Sequence, residues 1–129
     1  MTTYVLDTSV LIDASRDREP GASWLQRVLV QPHSVAVSAV TVAEFFAGLE
    51  PRERGGWSTF IETLTHWDTT REIAIQAGIF RYDAARRGQV IQIPDALIAA
   101  TAMVVGATLA TSNVRHFGSL GVPIVRLDA

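Results

Sequence analysis

The chain has 129 residues, 48% of them hydrophobic and 19% charged, so we expect one domain over residues 1–129 with a substantial core. Cysteine is absent, which excludes disulfide frameworks and cysteine-ligated zinc sites. The formal net charge is -2 and all eleven basic residues are arginine, which excludes a generally basic nucleic-acid surface and any reaction that needs a lysine amine.

The N-terminal third of the chain alternates short apolar runs with helical patterns. Residues 4–6 are apolar and end at Asp7, which predicts a buried strand followed by a helix start. This early charge excludes a signal peptide, and no apolar stretch approaches the roughly 18 residues of a membrane span. We therefore expect a cytoplasmic protein without a membrane anchor. The other elements predicted here are a helix from Val10, a helix between Pro20-Gly21 and Pro32, a strand over residues 35–38 and an apolar helix over residues 39–49.

The remainder of the chain continues the alternation with longer helices. Residues 51–56 are polar and predict a loop. Strands that alternate with helices predict an α/β fold of three layers, in which helices cover both faces of a central parallel sheet. The predicted elements are a helix with apolar positions at Trp57, Phe60, Ile61 and Leu64, an edge strand over residues 66–68, a helix with Ile73, Ala77, Phe80 and Ala84 on one face that ends at residues 86–88, an interior helix over residues 94–105, a strand over residues 108–111, a loop over residues 112–120 and a last strand over residues 123–127.

Three carboxylates occur in apolar contexts near the predicted carboxyl ends of strands, where such folds bind ligands. Asp7 follows the first strand, Glu44 lies about one turn into the helix after the second strand, and Asp95 begins the interior helix. Buried carboxylates that meet in one pocket repel one another, so a positive group should lie between them. An all-oxygen ligand set suits Mg²⁺ or Mn²⁺. The pattern predicts metal-assisted phosphodiester hydrolysis, with Asp7 and Asp95 as metal ligands and Glu44 or a neighbouring carboxylate orienting or deprotonating the attacking water.

Each carboxylate also has a structural interpretation. Asp7 has the sequence position of a helix cap. Glu44 completes a Thr41 to Glu44 capping box. Asp95 follows Pro94 in a first helical turn, where the helix dipole favours an anion. The case for a functional site is therefore a joint one.

Polar residues near the same strand ends are candidates to support the site. Thr8 follows Asp7 directly, Ser38 ends the second strand, and Thr111 and Asn113 follow the strand after the interior helix. Arg115 is the arginine nearest to the predicted site, so it is the candidate for contact with an RNA phosphate.

Four sequence blocks resemble the PIN-domain ribonucleases, in particular the VapC-type toxins of toxin–antitoxin modules. The blocks are VLDTSVLI at 5–12, SAVTVAE at 38–44, IPDALIAATA at 93–102 and LATSNVRHF at 109–117. The resemblance implies a parallel sheet flanked by helices, a Mg²⁺- or Mn²⁺-dependent endoribonuclease and a homodimer. It also implies inhibition by a small VapB-type antitoxin that inserts a segment over the acidic pocket. Asp7, Glu44 and Asp95 align with the acidic triad of the family, and Asn113 stands where many PIN domains carry a fourth acidic residue.

Two other functions compete with this interpretation. A PIN-like domain kept as a protein-binding or regulatory module, with little nuclease activity, is suggested by Asn113 in the fourth acidic position. An aspartyl-phosphate module of the dehalogenase or receiver type is suggested by Asp7 at the end of a first strand. The dehalogenase type needs a second aspartate where Ser9 stands, and both types commonly use the lysine that this chain lacks.

Overall fold

A single parallel sheet forms the frame of the molecule in a computed structural model, which describes residues 2–32 and 34–128. Every strand pair is parallel, and the spatial order of the strands is β3-β2-β1-β4-β5. At the centre, Val5 lies opposite Ala36 on one side and Leu109 on the other. The strands are β1 (Thr3–Leu6), β2 (Ser34–Ser38), β3 (Thr65–Trp67), β4 (Thr108–Ala110) and β5 (Ile124–Val125).

Successive strand side chains point to opposite faces of the sheet. Because both sets are apolar here, helices cover both faces. Val5 and Leu109 belong to a core with the apolar sides of α5 and α6. Leu6 and Ala110 belong to a second core with α1, α2 and α3. The predicted three-layer α/β/α fold is confirmed. The helices are α1 (Thr8–Ser15), α2 (Gly21–Leu29), α3 (Ala39–Ala47), α4 (Pro51–Glu62), α5 (Arg71–Arg86), α6 (Ile93–Val105) and α7 (Val114–Phe117). Among the described residues, no helix is long and apolar enough to cross a membrane.

The loop predicted over residues 51–56 is wrong, because these residues form the first half of α4. Pro51 occupies the first helical position, where its missing N–H costs nothing. The backbone N–H of Glu50 donates to Glu53 Oε1 at 3.0 Å, so one free donor at the helix start is satisfied. The helix ends at Glu62, and Leu64 lies beyond it.

Two further differences lie near the C-terminus. The predicted loop over residues 112–120 contains the short helix α7, and the last strand is confined to Ile124–Val125. The edge strand is confirmed, since β3 lies at the outer edge of the sheet beside β2.

The strand order creates a crevice beside β1. The chain passes from β1 to β2 and β3 on one side and then crosses to β4 and β5 on the other. At such a switch point the loops that follow β1 and β4 diverge, and ligands bind in the gap between them. Asp7 follows β1 and Thr111 follows β4, so both residues lie at this gap.

Candidate active site

Asp7 is anchored where the two central strands end. Its backbone N–H donates to the carbonyl of Ala110 at 2.8 Å, and the residue is only 4% exposed. The hydroxyls of Ser9 and Thr111 both donate to Oδ2 of Asp7 at 2.8 Å. Both hydroxyls bond to the same carboxylate oxygen, so neither of them occupies Oδ1. Two hydrogen bonds to one carboxylate oxygen hold the Asp7 side chain in a fixed orientation.

The two hydroxyls that hold Asp7 are themselves fixed by backbone donors. The N–H of Ser112 donates to Ser9 Oγ at 3.1 Å, and the N–H of Asn113 donates to Thr111 Oγ1 at 2.9 Å. Each hydroxyl therefore accepts one bond from the loop after β4 and donates one to Asp7. The loop after β4 therefore helps to fix the orientation of the Asp7 carboxylate through these two hydroxyls.

Glu44 reaches the crevice from α3. The Thr8 hydroxyl donates to Glu44 Oε1 at 2.7 Å, which ties α3 to the start of α1. The hydroxyl of Thr41 donates to the carbonyl of Leu6 at 3.1 Å, so α3 is also fixed to β1. The Thr8 hydroxyl thus occupies Oε1 of Glu44 and not Oε2.

Asp95, in the first turn of α6, completes the acidic set. Its Oδ2 lies 3.2 Å from Nδ1 of His116 in α7. Burial raises the pKa of the Asp95 carboxyl above 3.8, the negative charge of Asp7 raises it further, and the His116 ring opposes both effects. The charge of Asp7 therefore acts on Asp95, and a cation bound beside them would relieve this repulsion.

The three carboxylates line one open cleft of about 510 Å³. Among the described residues, no group of three His, Cys, Asp or Glu side chains is already drawn together to hold a metal ion. Mg²⁺ keeps several waters and is commonly bound through one or two carboxylates. Asp7, which two hydroxyls orient, and Asp95 therefore supply the oxygen ligands that suit a hard divalent cation, and Glu44 lines the same cleft. The residues that line the cleft are Asp7, Thr8, Ser9, Ile12, Asp13, Glu44, Asp95, Ser112, Asn113 and His116.

Only some of the predicted supporting residues line the cleft. Thr8 and Asn113 line the cleft, and Thr111 is buried behind Asp7. Ser38 is fully buried outside the cleft lining, where its hydroxyl accepts from the N–H of Thr41 and caps α3. Arg115 lines an adjoining cavity that also contacts Asp95.

Two of the structural interpretations of the carboxylates are wrong. Asp7 stands at the cap position of α1, but its side chain accepts from the hydroxyls of Ser9 and Thr111. The cap of α3 is Ser38, so Glu44 lies deep in the helix and pairs with Thr8 instead of closing a capping box.

Several residues that line the cleft were not predicted as site residues, among them Ser9, Asp13 and His116. Ser9 orients Asp7, and its position two residues after Asp7 was the available signal. Asp13 follows Ser9 by four residues and so shares its face of α1; its Oδ2 accepts from the N–H of Gly21 at 3.0 Å. His116 pairs with Asp95 across a separation of 21 positions in the chain, which no local pattern indicates.

Comparisons with known proteins agree with this fold. Residues 4–121 match the PIN domain family. The chain is 34% identical over 115 residues to Ribonuclease VapC19 of Mycobacterium tuberculosis, covering 88% of this chain and 90% of that protein. Its structure is similar to DNA-bound VapBC from Salmonella typhimurium, with a TM-score of 0.82, 25% identity and 98% of both chains covered. It also shares the fold of a toxin–antitoxin complex from Klebsiella pneumoniae, with a TM-score of 0.77, 23% identity and 96% and 97% of the two chains covered.

Proposed function

The chain belongs to the PIN domain family, and we propose that its acidic cleft is the active site of an endoribonuclease that uses Mg²⁺ or Mn²⁺. The protein is an endoribonuclease of the VapC type and the toxin of a toxin–antitoxin module, as its similarity to Ribonuclease VapC19 and to VapBC supports. The observation that carries the proposed site is that Asp7, Glu44 and Asp95, from three separate elements, line one cleft.

The residues of the chain divide the work of hydrolysis. Asp7 and Asp95 would hold the ion, which activates water and stabilises the charge that develops on the phosphate oxygens. The Ser9 and Thr111 hydroxyls keep Asp7 oriented before substrate binds, so little reorganisation is needed during the reaction. Thr8 occupies Oε1 of Glu44, and Oε2 would accept a proton from the attacking water.

The proposal is tested by incubating total RNA with purified protein in Mg²⁺, in Mn²⁺ and in EDTA, with the product ends sequenced. The wild type should produce discrete cuts that require a divalent ion. Asp7→Asn and Asp95→Asn should each abolish the cuts, whereas the exposed Asp68→Asn should retain them. If both cleft variants cut as well as the wild type, the site is elsewhere. If the wild type cuts nothing, the protein-binding module replaces the nuclease.

We propose that the antitoxin partner binds in an apolar cavity of about 520 Å³ between α2 and α4. Leu25, Leu29, Trp57 and Phe60 give it an apolar lining. The end of α1 borders this cavity through Ala14 and Asp17, while the start of the same helix borders the acidic cleft. An apolar antitoxin segment seated here would therefore lie next to the active site.

This surface is tested at Leu29, the last residue of α2, and at Val30, which caps the helix. Leu29 lines the cavity, whereas Val30 is 85% exposed and does not line it. Leu29→Asp should weaken co-purification with the small protein encoded beside the toxin and should restore growth inhibition during co-expression. Val30→Asp should bind like the wild type. Equal binding by both variants would place the partner on another surface.

The proposed homodimer fits an exposed stripe of α5. Ile75, Ile79 and Tyr82 are exposed at helical spacing. If two copies of α5 cross antiparallel about Ile79, Glu72 of each copy faces Arg86 of the other, so the surface is self-complementary. Glu72→Arg should lower the mass measured by light scattering toward that of the monomer, and adding Arg86→Glu should restore it. A mass unaffected by the single charge reversal would contradict this interface.

A further inference from the structure

A second polar cavity, of about 370 Å³, adjoins the acidic cleft and shares Asp95 and His116 with it. The remaining lining residues are Gln89, Val90, Ile91, Gln92 and Arg115. Apart from the shared Asp95 and His116, the polar side chains of this cavity are two amides and one cation, whereas the cleft has three further carboxylates. Its volume is within the range of about 300–1,000 Å³ that is typical of small-ligand pockets.

The wall of this cavity, the loop between α5 and α6, is held in a fixed shape. The guanidinium of Arg81 donates from Nε to the carbonyl of Ile91 at 2.9 Å. The N–H of Gln89 donates to the carbonyl of Ala84 at 2.9 Å. The hydroxyl of Ser119 donates to Oε1 of Gln89 at 2.6 Å. Bonds from three directions therefore preorganise the loop, and a preorganised wall loses less entropy when a ligand binds.

The groups on this wall match the requirements of a single nucleotide. Because Ser119 occupies the amide oxygen of Gln89, its amide nitrogen remains as a donor toward a base edge. Gln92 adds a second amide, which can both donate and accept. Val90 is 83% exposed, an apolar side chain that a base would cover. Arg115 supplies a positive charge for the adjacent phosphate.

We infer that this cavity is a base-reading subsite of the ribonuclease, which binds the nucleotide next to the scissile phosphate and selects its base through Gln89 and Gln92. Single-stranded RNA is read in this way, through splayed bases that hydrogen-bond along their edges. The inference rests on the proposed function, because the shared Asp95 places the subsite beside the catalytic cleft. The subsite has two roles: Gln89 and Gln92 bind the base, and Arg115 binds the phosphate of the RNA backbone.

The test is cleavage of a library of short RNAs randomised in sequence, with the products sequenced to give the base preference at every position. The wild type should show a preference at a position adjoining the cut. Loss of a base-reading hydrogen bond should reduce that preference about five- to tenfold in Gln89→Ala and Gln92→Ala. Arg115→Ala should slow cleavage of all sequences without changing the preference. The matched control is Gln76→Ala, a glutamine of α5 away from both cavities, which should behave like the wild type.

A preference at the adjoining position that survives in the Gln89→Ala, Gln92→Ala double variant would overturn the inference while leaving the nuclease intact. A second measurement covers the case in which the wild type cuts nothing, which would count against the proposed function. The uncleaving Asp7→Asn protein is used in EDTA to select RNAs by binding from the same library. Enrichment of one base that the double variant loses supports the subsite, and equal selection by both proteins refutes it.

Discussion

Removal of the Thr111 hydroxyl tests whether the network behind Asp7 holds the site together. Thr111 is 1% exposed, and its hydroxyl donates to Asp7 Oδ2 at 2.8 Å while it accepts from the N–H of Asn113 at 2.9 Å. Thr111→Val keeps the shape of the side chain and removes both bonds. A hydrogen bond to a charged group contributes about 1.5–3 kcal/mol, so we expect the free energy of unfolding to fall by about 2–3 kcal/mol.

The matched control is Thr101→Val. Thr101 is also fully buried, but its hydroxyl donates to the carbonyl of Leu97 within α6 at 2.8 Å. The carbonyl of Leu97 lies within α6 and already takes part in helical hydrogen bonding. Thr101→Val should therefore lower the free energy of unfolding by less than about 1 kcal/mol. Both variants are measured by urea denaturation at pH 7 in EDTA. In a double-mutant cycle, Thr111→Val should cost at least about 1 kcal/mol less in an Asp7→Asn background. Equal losses in the two threonine variants, or additive effects with Asp7→Asn, would mean that the Thr111 hydroxyl does not stabilise the fold through Asp7.

Two further predictions concern charge and packing. The raised pKa of Asp95 means that the folded chain binds this proton more tightly than the unfolded chain, so stability falls as pH rises from 3.8 through the raised value. Asp95→Asn should therefore be more stable than the wild type at pH 7 in EDTA, with the difference lost below pH 3.8 in denaturant titrations; a variant less stable at pH 7 would contradict this. At Gly21, a Cβ atom would lie 2.6 Å from the Cβ of Asp13, so Gly21→Ala should lower stability by about 1–3 kcal/mol. Gly55→Ala, where a Cβ meets nothing within 4 Å, should raise it by up to about 1 kcal/mol, and equal effects of the two substitutions on the melting temperature would count against this packing argument.

The layer order and the acidic cleft followed from local patterns and one topological rule. Asp7 comes directly after an apolar strand, and Asp95 begins an apolar helix, so a parallel sheet places both near the carboxyl ends of its strands. Glu44 was predicted because it is the one charge in an apolar helix. The start of α4 was missed because polar residues and two glycines outweighed Pro51 and the Glu50 to Glu53 pair, which do mark a helix start.

The parts that could not be predicted depend on contacts between distant segments. The pairing of Asp95 with His116 requires the four-residue helix α7, which is too short to show a period. The double use of Ser9 and Thr111 as acceptors from the loop and donors to Asp7 requires the loop after β4 to fold back over β1. The base-reading subsite likewise depends on how the loop after α5 is bonded to Ser119.

If Asp7 and Asp95 hold one divalent ion between them, a calorimetric titration of Mn²⁺ into the metal-free protein should detect it. The wild type should bind the ion, and Asp7→Asn and Asp95→Asn should each weaken binding by at least about tenfold, a loss of about 1.4 kcal/mol. Asp68→Asn, which changes an exposed carboxylate that does not line the cleft, should bind like the wild type. Unchanged Mn²⁺ affinity in both cleft variants would contradict the account.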